Sequence, residues 1–199
     1  MCHAFLSDAR FYRFLYEIDR EIAVQVQVQG CSCGGVLHSA RYPRKPRGVR
    51  FLLDESYAVR LSFCCAVEGC RRRSTPPSVR FLGRKVYLGA MVILITALEH
   101  GLTPKRRQEL IETLDIWPQT FFRWRKWWRE IFPCSRCWRA VVGDFMPPVD
   151  VSRLPGALLG RLTGGSLLRR LCHFLGLLIP VSTSSWSGNL KVVVDPQKM

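Results

Sequence analysis

The sequence predicts a mainly α-helical protein with a small β zinc-ribbon, and three observations lead to this prediction. Apolar residues recur at helical spacing in several segments that begin and end at turn residues. Cysteine pairs lie at both ends of one segment rich in Gly, Pro and Arg. Lys and Arg number 30 against 15 Asp and Glu, which indicates a polyanionic partner. The predicted order is an N-terminal helix (1–29), a zinc-ribbon-like module (30–75), a three-helix helix-turn-helix bundle (78–140), and a short C-terminal helix with a flexible tail (141–199).

The N-terminal segment predicts an amphipathic helix over roughly residues 5–23. Its apolar residues at helical spacing are Phe11, Phe14, Leu15, Ile18 and Ile22. The next six residues, Val24 to Gln29, alternate like a strand but are also compatible with a continuing helix, and Gly30 ends the element in either case.

The cysteines of the second segment predict a metal site. Nine cysteines in a chain without a recognisable export signal favour reduced thiols and metal binding over disulfides. Two pairs at turns can bring four thiolates to one tetrahedral Zn²⁺ ion, and the expected ligands are Cys31, Cys33, Cys65 and Cys70. The residues leave three alternatives open: Cys64 in place of Cys65, His38 as a substitute ligand, or buried reduced cysteines without a metal.

A further pair, Cys134 and Cys137, has the C-x-x-C spacing of redox sites. No predicted strand precedes it, as a thioredoxin-like site requires, so a second metal contact or simple packing is the preferred interpretation.

Helical patterning dominates the rest of the chain after a proline-containing linker, STPPSVRFLGRK. The predicted helices run from about Val79 to His100, from Thr103 to Leu114, from Pro118 to Phe132, and over the leucine-rich stretch from Leu167 to Leu178. The tight turn between the second and third of these indicates a helix-turn-helix.

The third helix has two distinct faces. A helical wheel places an aromatic arc toward the core, made of Phe121, Trp124, Trp127, Trp128, Ile131 and Phe132. The opposite face is basic, and its candidates for contacting base edges in a major groove are Gln119, Phe122, Arg123 and Lys126. An ordinary solvated helix face is the alternative interpretation.

Further basic residues suit contacts to DNA phosphates, which position a protein without reading sequence. The expected contacts are Arg71, Arg72, Arg73, Arg44 and Lys45, with Arg41, Arg47, Arg80, Arg84 and Lys85 as additional candidates.

The motifs CSCGG, YPRKPRG, FCCAVEGCRRRSTPPSVRFLGRKVYLGA and RWRKWWREIFP resemble a family of short bacterial proteins. That family is related to the N-terminal zinc-ribbon and helix-turn-helix part of insertion-sequence transposases, and the resemblance covers about residues 10–150. It implies cysteine-bound zinc and recognition of mobile-element ends or related DNA.

No catalytic centre is expected in this chain. A transposase with three catalytic carboxylates adds an RNase H-like domain, whereas the residues after the third helix include Asp144, Asp150 and Asp195 as their only acids. The expected function is therefore binding of double-stranded DNA, with the protein in the cytoplasm at the nucleoid. A homodimer, or a separate catalytic subunit of a transposase, is an alternative assembly. A protein of the membrane surface is the third class, and no transmembrane segment is predicted.

Overall fold

The computed structural model describes residues 8–44, 55–82, 89–98, 103–105, 108, 112 and 117–183. The described chain is mainly helical, with short antiparallel strands inserted after the first helix. The helices are α1 (Ala9–Gln29), α2 (Gly89–Leu98), α3 (Pro118–Lys126), α4 (Arg136–Val141), α5 (Gly156–Arg161) and α6 (Leu167–Leu177). The strands are β1 (Leu37–Ser39), β2 (Tyr42–Pro43), β3 (Val59–Arg60), β4 (Phe63–Cys65) and β5 (Arg73–Ser74).

Helix α1 continues through the alternating VQVQVQ stretch, which is helical rather than extended. The side chain of Asp8 caps its first turn by accepting a hydrogen bond from the N–H of Arg10. Gly30 ends the helix with a φ of 74°, a conformation that suits glycine. The five apolar residues expected on the inner face are buried, and the same face also contains Asp19.

The strands form two small antiparallel sheets. One has the order β1-β4-β5, with Leu37 opposite Cys65 and Cys64 opposite Arg73. The other pairs β2 with β3 and places Tyr42 opposite Arg60. Residues 31–74, which we call the cysteine module, contain both sheets and pack a small apolar cluster against Ala23 and Val26 of α1.

A larger core surrounds α2, whose residues 90–95 are buried on every side. This helix packs against α3, α5 and α6, and the core extends to the aromatic residues of α1. The expectation that this helix begins near Val79 is wrong. Residues 79–82 are buried and non-helical, because the Ser78 hydroxyl accepts the N–H groups of Arg80 and Phe81, and the Asp19 carboxylate accepts that of Val79.

The segment predicted as a linker is buried from residue 76 to residue 82 and is part of the packed structure. Its remainder, residues 83–85, lies outside the described residues, as does most of the predicted second helix between Thr103 and Leu114. The packing of a helix-turn-helix therefore lies outside the described residues too.

Helix α3 ends earlier than expected and continues as a π-helical turn, Trp127–Ile131, followed by a 3-10 turn, Phe132–Cys134. Four members of the predicted aromatic arc are buried, namely Phe121, Trp124, Trp128 and Phe132. Ile131, in contrast, is 55% exposed, and Trp127 is half-buried. The π turn changes the number of residues per turn, so the wheel of a regular α-helix misplaces these two side chains.

The C-terminal region adds α5 and α6 to the same core. Leu171, Phe174, Leu175 and Leu178 are buried as their spacing predicts, and Ser166 caps α6 by accepting the N–H of Arg169. Ser182, at the beginning of the predicted tail, is also buried, and its hydroxyl accepts the N–H of Ser78. The end of the tail, residues 184–199, lies outside the described residues. No helix in the described part of the chain has the length and apolar character needed to cross a bilayer.

Candidate metal centre and nucleic-acid interface

Four cysteines converge at one end of the cysteine module. The Sγ atoms of Cys31, Cys33, Cys65 and Cys70 all lie within 4.8 Å of one another. Cys33 and Cys65 are separated by 3.4 Å between their sulfur atoms, and Cys31 and Cys70 by 3.8 Å. This is the set of four that the spacing predicted, and it could hold a metal ion.

The spacing of the sulfurs fits one tetrahedral ion. A Zn²⁺ ion with Zn–S bonds of about 2.3 Å has sulfur–sulfur edges of about 3.8 Å. One observed separation equals that value, the other is 0.4 Å shorter, and no pair exceeds 4.8 Å, so small movements of the side chains would complete a four-thiolate site.

Two tight turns present the sulfurs. In the first, the N–H of Cys31 donates to the carbonyl of Gly35 at 2.9 Å, and the N–H of Gly34 donates to the carbonyl of Cys31 at 2.8 Å. In the second, the N–H of Val67 donates to the Sγ of Cys65 at 3.4 Å. A Cβ atom on Gly35 would lie 2.7 Å from the Sγ of Cys65, so glycine is required for the sulfurs to approach.

The surroundings of the cluster shift the pKa values of Cys31 and Cys65 in opposite directions. The backbone N–H of Cys33 stabilises the thiolate of Cys31, and neighbouring thiols add to this effect, so that the pKa of Cys31 falls to about 6. At Cys65 the N–H of Val67 also favours the thiolate, but burial and the other three cysteines raise the pKa to about 12. One thiolate therefore forms readily in the cluster, and a bound cation would favour ionisation of the others.

The structure distinguishes Cys65 from its neighbour Cys64. Successive residues of a strand face opposite sides, and Cys64 lies on the side away from the cluster, where its thiol donates to the carbonyl of Arg71 at 3.4 Å. His38 is the cross-strand partner of Cys64 and is exposed. Neither residue belongs to the set of clustered ligands found among the described residues.

Comparison of the chain with models of protein families, with characterised proteins and with solved structures gave no match. The resemblance to the DNA-binding part of transposases thus stays a prediction from the sequence motifs.

Arginines expected to contact phosphates lie beside the cysteine cluster. Arg71, Arg72 and Arg73 follow Cys70 directly and are exposed, and Arg72 donates to the Ser32 hydroxyl at 2.6 Å. Within the described part of the chain, none of these three forms an ion pair with a carboxylate. Arg44 is half-buried, and Lys45 lies outside the described residues.

The expected base-reading residues of α3 share an accessible surface. Gln119, Phe122, Arg123 and Lys126 are all exposed, with 59% of Phe122 accessible. The ammonium of Lys126 lies 3.7 Å from the carboxylate of Glu130, a contact between exposed side chains that contributes little. The face opposite the aromatic core is therefore available to a partner.

Arg80 does not contact phosphate, contrary to expectation, because it is fully buried. Its Nε donates to the Asp19 carboxylate at 2.7 Å, and its other nitrogens donate to the carbonyls of Tyr57 and Val59. Asp19 occupies the position four residues after Leu15 on the apolar face of α1. An acidic residue on the apolar face of a helix indicates a buried carboxylate, and such a carboxylate needs a cationic partner. This feature of the sequence could have revealed the ion pair.

The C-x-x-C pair has a packing role at Cys137. Its thiol donates to the carbonyl of Leu177 at 3.0 Å, and burial raises its pKa, whereas Cys134 is exposed. This contact ties α4 to the end of α6.

Proposed function

We propose that this protein is a zinc-stabilised DNA-binding protein, in which the cysteine module is a zinc ribbon. Exposed arginines of the ribbon contact phosphates of double-stranded DNA, and the polar face of α3 reads base edges as the last helix of a helix-turn-helix. The observation that carries the proposal is the position of Arg71, Arg72 and Arg73 immediately beside the four-cysteine cluster, exposed and without carboxylate partners in the described chain.

Zinc is the metal that best fits the donor set. Four thiolates in tetrahedral positions favour Zn²⁺ over Mg²⁺ or Ca²⁺, which prefer oxygen ligands. A site with four protein ligands has no open position for substrate, so we assign the ion a structural role. The ion would hold together a module whose own apolar cluster contains few residues.

The excess of positive charge supports nucleic acid as the partner. The net charge is +15, and a module that presents several guanidinium groups on one surface releases counterions when it binds the phosphate backbone. Arginine at an exposed helix face also forms bidentate contacts with guanine, and a neighbouring phenyl ring can contact a thymine methyl group. The sequence motifs add the proposal that the DNA belongs to a mobile element and that the protein works in the cytoplasm, alone, as a homodimer or with a catalytic subunit.

The metal part of the proposal is tested by two adjacent cysteines. Protein purified in reducing buffer should contain one equivalent of zinc, measured by plasma mass spectrometry. Cys65→Ser should abolish the zinc content, whereas Cys64→Ser should preserve it because that thiol lies outside the cluster. Folded wild-type protein without metal, or equal loss in both variants, would contradict the assignment.

The DNA part is tested by two classes of substitution at a site selected from random duplexes. Arg123→Ala and Lys126→Ala should weaken binding to the preferred site by about 1–3 kcal/mol and spare nonspecific binding. Arg71→Ala should weaken binding on every sequence and reduce the salt slope by about one. Arg139→Ala removes an exposed charge from α4 and is the control. If no sequence is preferred and all variants lose affinity uniformly, the base-reading role of α3 is wrong.

A further inference from the structure

Arg72 is hydrogen-bonded to the loop that carries two members of the four-cysteine cluster. One guanidinium nitrogen of Arg72 donates to the Ser32 hydroxyl at 2.6 Å, and Ser32 lies between Cys31 and Cys33 in the sequence. Both of these cysteines belong to the cluster. The side chain of Arg72 therefore contacts the first of the two turns that present the predicted ligands.

The pairing of β4 with β5 explains why Arg72 faces the cluster and Arg73 does not. Arg73 is the cross-strand partner of Cys64, and the carbonyl of Arg72 accepts the N–H of Cys65 at 3.0 Å, so the ladder continues by one residue. Cross-strand neighbours have their side chains on the same face of a sheet. Arg72 thus shares a face with Cys65, which belongs to the cluster, whereas Arg73 shares the opposite face with Cys64.

The backbone of Arg71 holds the chain in place immediately before Arg72. Its φ of 41° lies in the left-handed region, which is uncommon for a residue other than glycine. Such a conformation persists only where surrounding contacts hold it. Here the N–H of Arg71 donates to the carbonyl of Val67 at 3.2 Å, and its carbonyl accepts the thiol of Cys64 at 3.4 Å. The position of Arg72 beside the cluster is therefore built into the second turn.

The bond from Arg72 to Ser32 joins the two segments that carry the clustered cysteines, residues 31–35 and residues 65–72. Apart from the contacts between sulfurs, it is the one side-chain hydrogen bond between these segments in the part of the chain that the structure describes. It also places a guanidinium beside a group of thiols that carries excess negative charge when all four are ionised around one Zn²⁺ ion.

We propose that Arg72 is a positioning residue of the metal centre and not a phosphate contact. By binding Ser32 it holds the first turn beside the second, so less motion has to be restricted when the ion binds. Its charge offsets part of the excess negative charge of the thiolates. Arg71 and Arg73 remain the expected phosphate contacts. This inference rests on the metal part of the proposed function and gives one arginine of the run a role of its own.

The test is a double-mutant cycle on zinc affinity, measured in competition with a chelating dye. Ser32→Ala and Arg72→Ala should each weaken zinc binding about threefold to tenfold, a modest effect because the bond is exposed. The double variant should bind zinc no more weakly than Arg72→Ala, since either substitution already removes the bond. Arg73→Ala removes the same charge from the opposite face of the sheet and should leave the zinc affinity unchanged.

Duplex DNA affinity at several salt concentrations, measured with the zinc-loaded proteins, separates Arg72 from its neighbour. Arg73→Ala should reduce the salt slope by about one, because it removes a phosphate contact. Arg72→Ala should leave the slope unchanged. Circular dichroism of each zinc-loaded variant shows whether the fold is intact.

Three results would overturn the inference and leave the zinc ribbon standing. They are additive losses of zinc affinity from Ser32→Ala and Arg72→Ala, a zinc affinity of Arg72→Ala equal to that of the wild type, and a salt slope that Arg72→Ala and Arg73→Ala reduce equally. Folded wild-type protein without metal would refute the proposed zinc site together with this inference. Zinc-loaded wild-type protein that binds no duplex would refute only the DNA part of the proposed function, and the zinc cycle would still decide the role of Arg72.

Discussion

The buried ion pair between Asp19 and Arg80 offers the sharpest test of how the fold is held together. Both side chains are almost fully excluded from water, with 3% and 0% of their surfaces exposed. The Asp19 carboxylate accepts three hydrogen bonds, from the Ser78 hydroxyl at 2.5 Å, the Val79 N–H at 2.8 Å and the Arg80 Nε at 2.7 Å. Asp19→Ala removes all three acceptor contacts at once.

The expected cost follows from what remains after the substitution. The guanidinium of Arg80 would stay buried without a counter-charge, and breaking a buried pair in this way costs about 3–5 kcal/mol. That is a large part of the roughly 5–15 kcal/mol by which a domain of ordinary stability is folded. The rings of Tyr16, Tyr57 and Phe81 lie 4.7, 4.9 and 5.0 Å from the guanidinium carbon and offset only part of this loss.

The measurement is urea unfolding of the zinc-loaded protein, monitored by tryptophan fluorescence. A fall in the midpoint with an unchanged slope reports a loss of stability. Glu17→Ala is the control, because Glu17 lies on the same helix and forms an exposed ion pair with Arg20 that contributes about 0–1 kcal/mol. The double variant Asp19→Leu/Arg80→Met should cost about 1–3 kcal/mol less than the sum of the two single changes. A loss of less than about 1 kcal/mol in Asp19→Ala would refute the reasoning.

Three further outcomes are expected. Gly35→Ala should weaken zinc binding about tenfold to 100-fold in competition with a chelating dye, because the new Cβ would lie 2.7 Å from the Sγ of Cys65, while Gly143→Ala should not change it. Trp128→Ala should lower the free energy of unfolding by about 3–5 kcal/mol, and Trp127→Ala by clearly less, since only Trp128 is fully buried. Supercoiled plasmid incubated with the protein and magnesium or manganese should stay intact, and reproducible nicking would show that a catalytic site had been overlooked.

The periodicity of apolar residues predicted those helices whose buried faces follow a regular helical spacing. The inner face of α1 and the buried leucines of α6 follow regular helical spacing, and both are found as expected. The four clustered cysteines were predictable because two cysteine pairs at turns are typical of a tetrahedral metal site. Which of Cys64 and Cys65 belongs to the cluster required the register of β4, which adjacent cysteines do not reveal.

Two errors occur where contacts between residues distant in sequence override the local pattern. The start of α2 was misplaced because Asp19, far away in sequence, binds the backbone at Val79. The same carboxylate explains why Arg80 is buried although it belongs to a basic stretch. The exposed Ile131 has a local cause, the π turn, but no feature of a helical wheel indicates that turn.

The contacts between residues distant in sequence are nested: the cysteine pairs lie between the two members of the Asp19–Arg80 ion pair. Cys33 and Cys65 are 32 residues apart, Cys31 and Cys70 are 39 apart, and both pairs lie inside the 61-residue separation of Asp19 and Arg80. Joining distant points of a flexible chain costs entropy that grows with the length between them. If a metal ion brings the four sulfurs together first, only the short segments 20–30 and 71–79 remain to be ordered before Asp19 and Arg80 can meet. The availability of metal would then affect how quickly the larger core around α2 forms, although that core contains none of the four clustered cysteines.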